Sequence, residues 1–102
     1  MVNQPDIKRR FTKGQMRLQK LLESMGFETI LEHPVGDYTI DIFLSSGENA
    51  GFEFDGPWHF AKRDKNRDRR IKDEFGIPIM RITEKDLAKE DLREEILEWL
   101  SG

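Results

Sequence analysis

Three acidic residues and a histidine stand where the chain alternates between apolar and charged residues. Asp41 lies within Tyr38-Thr39-Ile40-Asp41-Ile42-Phe43-Leu44, Glu53 and Asp55 within Gly51-Phe52-Glu53-Phe54-Asp55, and His59 follows Gly56-Pro57-Trp58. Strand side chains alternate between faces, so Glu53 and Asp55 point one way while Phe52 and Phe54 point the other. A hairpin pairing the two strands brings Asp41 beside them, and three carboxylates so placed repel one another unless protons or a cation intervene. A wet sheet face would account for Glu53 or Asp55 taken singly. It does not account for Asp41, because an unpaired carboxylate between Ile40 and Ile42 would be costly to bury. An imidazole at the end of an acidic strand can take a proton from water, and Asp68 on the following helix is placed to fix its tautomer. His33, before Pro34, has no acidic setting and reads as structural.

The chain has 102 residues and no cysteine. It is long enough for one core, and any metal must be held by oxygen or imidazole, which points to Mg²⁺ or Mn²⁺. No run is apolar enough to span a bilayer and the start Met1-Val2-Asn3-Gln4-Pro5-Asp6 lacks a signal-peptide core, so a soluble, intracellular protein (cytoplasm or nucleoid) with no membrane partner is expected. The net charge of -3 hides a strong asymmetry. Lys8, Arg9, Arg10, Lys13, Arg17 and Lys20 cluster near the start, Lys62, Arg63, Lys65, Arg67, Arg69, Arg70 and Lys72 follow the histidine, and the acids concentrate from Glu84 to Glu98. Either basic run alone reads as a solvated helix face; two of them flanking an acidic site suit a polyanionic partner.

The elements that must position these residues can be read from periodicity. Residues 1–10 form a basic, polar arm, and 11–102 a single domain. Thr12 caps a helix carrying Leu18, Leu21, Leu22 and Met25 to a stop at Gly26. Strands follow over Phe27 to Val35 and Tyr38 to Leu44, joined by Gly36-Asp37, and a third runs from Ala50 to Asp55 after the turn Ser45 to Asn49. A charged helix from Phe60 to Phe75, a strand from Ile77 to Ile82 and a helix marked by Leu92, Ile96, Trp99 and Leu100 complete the chain. Pro78 must sit near the start of its strand or at a sheet edge. The order α-β-β-β-α-β-α, with a crossover over the charged helix, implies an α/β domain with a mixed sheet of about four strands flanked by helices.

Asp41, the block Glu53-Phe54-Asp55-Gly56-Pro57-Trp58-His59, then Arg67-Asp68 and Gly76-Ile77-Pro78-Ile79-Met80-Arg81-Ile82, resemble the very-short-patch-repair (Vsr)-like endonucleases. That group, with the EDxHD homing endonucleases, belongs to the PD-(D/E)XK restriction-endonuclease-like superfamily, and the resemblance extends from Phe11 onward. It implies a restriction-endonuclease-like core, Asp41 as principal metal ligand, Asp55 as a second metal or water ligand, and His59 as the proton-transfer group oriented by Asp68. Two positions depart from the pattern. Gln15 stands where the family has a glutamate in its first helix, and Glu53-Phe54-Asp55 lacks the lysine of the superfamily's Glu-X-Lys. Asp-Gly-Pro-X-His-Phe also resembles the core of RAP domains, which act on RNA.

These readings converge on a Mg²⁺- or Mn²⁺-dependent DNA endonuclease of homing, repair or nicking type, with Asp41, Glu53, Asp55, His59, Asp68 and Gln15 at its catalytic site and Asp41 and Asp55 on the metal. Arg9, Arg10, Lys13, Lys62, Arg63 and Arg67 would hold the nucleic-acid backbone, and Trp58 would stack on bases or pack locally. The alternatives are a non-catalytic nucleic-acid-binding module that keeps the nuclease fold, or an RNA-directed, RAP-like domain. A homodimer, or a longer enzyme with a separate recognition domain, is compatible with so small a chain, as is a phage or mobile-element origin.

Overall fold

Thr12 starts the first helix, α1 (Lys13–Ser24), because its hydroxyl oxygen accepts the otherwise orphaned N–H of Gln15 at 3.1 Å. The computed structural model describes residues 12–56 and 61–102, with the backbone alone for 61–63. The helix ends at Met25 because Gly26 takes φ +98°, and the N–H of Phe27 folds back to the carbonyl of Leu22. That wrap-around keeps residues 27 and 28 out of the sheet, so β1 spans Thr29–Val35 rather than starting at Phe27.

β2 (Tyr38–Leu44) and β3 (Gly51–Asp55) follow, then α2 (Ala61–Phe75), β4 (Ile79–Thr83), a short α3 (Glu84–Leu87) and α4 (Leu92–Ser101). The four strands form one sheet in the order β1-β2-β3-β4, antiparallel except for the parallel β3–β4 pair on either side of the α2 crossover. Pro78 immediately precedes β4, an edge strand, so its missing N–H interrupts no ladder. The α3 turn is additional to the elements expected from periodicity. It exists because Thr83 and Asp86 form a reciprocal capping box, each side chain accepting the other's backbone N–H.

Two cores lie on opposite faces of the sheet. Leu18 and Leu22 of α1 and Leu92 and Ile96 of α4 pack with Ile42, Leu44, Ala50, Phe52 and Ile82. On the other face Ile71 of α2 packs with Val35, Ile40 and Ile77. Phe52 is fully buried, which on its own favours the folded state by about 1.5–3 kcal/mol. No helix among the described residues is long and apolar enough to cross a membrane. The layered α/β architecture matches the sequence reading, and it sets the middles of β1 and β2 and the end of β3 against the start of α1, with α2 on the other face of the sheet.

Candidate active site

The β2–β3 ladder carries Ile42 opposite Phe52 and Phe43 opposite Gly51, and there regular pairing stops. One step further, side chains replace the ladder. The Asp41 N–H donates to Glu53 Oε2 at 2.9 Å, and the Phe54 N–H donates to Asp41 Oδ2 at 3.1 Å. Each acid thus satisfies a main-chain donor of the opposite strand that would otherwise be orphaned. The distortion is visible in packing, since Ile40 belongs to the core under α2 whereas Ile42 and Leu44 belong to the core under α1. β1 is bent at the same level. Glu32, between the paired residues Leu31 and His33, takes φ +51°, a conformation costly for a side-chain-bearing residue.

The register therefore sets Glu53, not Asp55, against Asp41. Burial pushes the Glu53 carboxyl up to about 7, with the Asp41 charge adding to the effect and the neighbouring arginines opposing it. Burial also raises Asp41, reinforced by Glu32, while the Phe54 N–H and a hydrogen bond with Glu53 pull the other way. Two acids held this close repel when both are charged, which together with burial is why the proton affinity of each rises.

Gln15 reaches the same place from the first turn of α1. Its side-chain amide, in a residue only 3 % exposed, donates to the Asp41 carbonyl oxygen at 3.3 Å and to Glu32 Oε2 at 3.4 Å. Both contacts require a donor, which explains why a neutral amide rather than a carboxylate sits here. Gly14 makes the approach of α1 feasible. A Cβ at that position would lie 2.1–2.6 Å from three ring carbons of Phe54, so the ring between Glu53 and Asp55 occupies the space that any other residue's side chain would need.

Two arginines close the site. Arg67 of α2 donates to Glu53 Oε2 at 3.4 Å, to the Thr39 carbonyl and to Asp68 Oδ1 at 3.4 Å, with its guanidinium 6.0 Å from the Tyr38 ring centre. Arg81 of β4 donates to both oxygens of Asp68, at 2.8 and 2.9 Å, and to Asp55 Oδ1 at 2.7 Å. Although burial works against its charge, its bonds to Asp68 and Asp55 raise its proton affinity above the ordinary arginine value.

Of the residues singled out in the sequence, Asp41, Glu53 and Gln15 thus meet in one cluster, while Asp55 and Asp68 meet on Arg81. Arg67 turns inward to Glu53 rather than standing on the outer face with the basic residues. Lys13 is exposed at the start of α1. Arg9, Arg10, Trp58 and His59 lie outside the described residues, as do the side chains of Lys62 and Arg63. His33 stacks on Phe43 with ring centres 4.2 Å apart, as a packing residue does. The structure adds Glu32 and Arg81 to these residues. Arg81 carries the same signal that marked Asp41, a charge inside an apolar run, Ile79-Met80-Arg81-Ile82. Among the described residues no three His, Asp or Glu side chains are arranged as a ready metal cage.

No family model matches the sequence, and no curated protein matches it significantly. Among solved structures, the catalytic domain of the homing endonuclease I-Bth0305I aligns with a TM-score of 0.70 at 16 % identity, over 87 % of this chain and 93 % of that one. The likeness extends through nearly the whole of both domains, and at this identity it establishes the fold. That fold is the restriction-endonuclease-like α/β core expected from the sequence.

Proposed function

We propose that this restriction-endonuclease-like domain is a metal-dependent endodeoxyribonuclease of the Vsr-like, EDxHD type. The observation that carries the reading is the buried Asp41–Glu53 pair, two carboxyl groups held together at the broken end of a strand ladder, each bonded to a main-chain N–H of the facing strand. A hard divalent cation relieves the repulsion between two such acids. Mg²⁺ is commonly held by one or two carboxylates, with waters and substrate phosphate completing its shell, and this pair fits such a donor set. Asp41 and Glu53 would hold the ion, rather than Asp41 and Asp55, because Arg81 already engages Asp55. Bound there, Mg²⁺ or Mn²⁺ supplies charge stabilisation to the phosphate and lowers the proton affinity of a water.

In the reaction, a water oxygen forms a bond to phosphorus while the bond from phosphorus to one sugar oxygen breaks, yielding a phosphate monoester and a free hydroxyl. His59, by the family resemblance, accepts the proton of the water, and the departing sugar oxygen takes a proton from solvent to become that hydroxyl. Gln15 fixes the Asp41 main chain, and Arg67, bonded to Thr39 and Glu53, fixes the far side of the pair. The exposed Lys13, with Arg9, Arg10, Lys62 and Arg63, would contact the DNA backbone and position it without reading sequence.

Plasmid nicking tests this reading. Supercoiled DNA should be converted to open circles in Mg²⁺ or Mn²⁺, and conversion should cease with chelator or in Asp41→Ala. No conversion by the wild type, or undiminished conversion by Asp41→Ala, defeats the proposal. One observation favours a second reading, a nucleic-acid-binding module without turnover: the neutral amide of Gln15 where the related enzymes have a carboxylate. It predicts salt-sensitive DNA or RNA binding that is indifferent to divalent ions.

A further inference from the structure

We infer that Arg81 is a built-in counter-ion, occupying with its guanidinium the position at which a second divalent cation would otherwise bind, so that the site takes one metal ion and not two. The inference rests on the Asp41–Glu53 reading above and deepens it. β3 presents two acids on one face, and their surroundings differ. Glu53 receives one long contact from Arg67, at 3.4 Å, and accepts the Asp41 N–H at 2.9 Å. Asp55, whose side chain is 8 % exposed, receives Arg81 Nη1 at 2.7 Å. The remaining faces of that guanidinium meet Asp68 at 2.8 and 2.9 Å and Asp64 at 3.4 Å.

The geometry follows from the fold. The parallel β3–β4 register sets Arg81 beside Glu53, two residues before the Asp55 level, so its side chain runs along the sheet toward Asp55. Asp64 and Asp68 are four residues apart on α2 and share the face turned to the sheet. Three carboxylates from two elements surround that one guanidinium, spaced by it rather than set as a ready cage, and their mutual repulsion calls for a cation among them. Here a permanently charged, planar five-donor group fills that place with directional bonds, which an ion could enter only by expelling it. Arg81 is thus a positioning residue. It holds Asp55 and Asp68 as one unit where β3 leaves the sheet, and it leaves the Asp41–Glu53 pair as the one under-compensated acidic pair of the two.

Calorimetric titration with Mn²⁺ alone, without nucleic acid, tests this on the full chain. The wild type should bind one ion. Asp41→Asn should weaken binding at least tenfold, whereas Asp55→Asn should leave stoichiometry unchanged and affinity within twofold. Arg81→Met should gain a second ion, lost again on adding Asp55→Asn, and Arg81→Lys should stay at one. Two ions on the wild type, a tenfold loss in Asp55→Asn, or a folded Arg81→Met that still takes one ion would overturn the inference. If Arg81→Met does not fold by circular dichroism, the Asp55→Asn comparison decides. No Mn²⁺ on the wild type would sink the Asp41–Glu53 reading. The role of Arg81 would then stand if Arg81→Met acquires an ion that Asp55→Asn removes, and fall if it does not.

Discussion

Replacing Glu53 by glutamine should make the protein more stable in mild alkali, and the size of the gain follows from the site. Glu53 is held at about 7 against an ordinary 4.5, chiefly by burial. Below pH 4.5 both folded and unfolded chains carry the proton and the shift contributes nothing. As pH rises through the interval, the unfolded chain ionises first and binds fewer protons, so wild-type stability falls until the folded carboxyl also ionises near pH 7. The full loss is about 3 kcal/mol, at about 1.4 kcal/mol for each tenfold change in proton affinity. With the Glu53 side chain only 12 % exposed, solvent screening removes little of it. Glutamine mimics the protonated acid, since it can accept the Asp41 N–H and donate to the Asp41 carboxylate. Urea unfolding followed by the fluorescence of Trp58 and Trp99 should show near-equal midpoints at pH 4.5. At pH 8 Glu53→Gln should be ahead by about 1–3 M, given a denaturant dependence of about 1–3 kcal/mol per M. A difference between the two proteins that does not change from pH 4.5 to 8 would refute the raised proton affinity of the buried Glu53.

Three further outcomes are expected. Mn²⁺ binding should release a proton from the acid pair, with the number released larger at pH 6 than at pH 8, as measured by calorimetry in buffers of differing ionisation enthalpy. Gly14→Ala should destabilise the fold by about 1–3 kcal/mol through overpacking against the Phe54 ring, and Phe54→Leu in the same chain should recover part of the loss in urea midpoint. Arg17→Ala should change stability by less than about 1 kcal/mol in thermal melts, because its 2.6 Å bond to Glu84 joins two largely exposed side chains.

The strands and helices were legible because their signals are local. Alternation around Tyr38 to Leu44 and the spacing of Leu18 and Leu22 each name an element without reference to the rest of the chain. Asp41 was legible for the same reason, as a charge flanked by isoleucines. Its partner was not, because register depends on the loop between β2 and β3. Asn49 enters the left-handed region at φ +55° and the Leu44 N–H pairs with the Ala50 carbonyl, which brings Glu53 opposite Asp41. A loop of different geometry would have favoured Asp55. Glu32 gave no signal of its own, since its role comes from a backbone kink in β1. Arg81 could have been found by asking of every charge inside an apolar strand where its counter-charge lies. The answer, Asp68 on α2, requires knowing how helix and sheet pack.

The interrupted ladder between β2 and β3 ties chemistry to architecture at the level of single atoms. Because the acids that could grip an ion also bond the main chain of the facing strand, selection for solidity alone would retain them whatever chemistry the site performs. In related chains, the survival of this pair therefore tracks an intact hairpin as much as a working enzyme, and turnover is better judged from neighbours that carry no such structural duty.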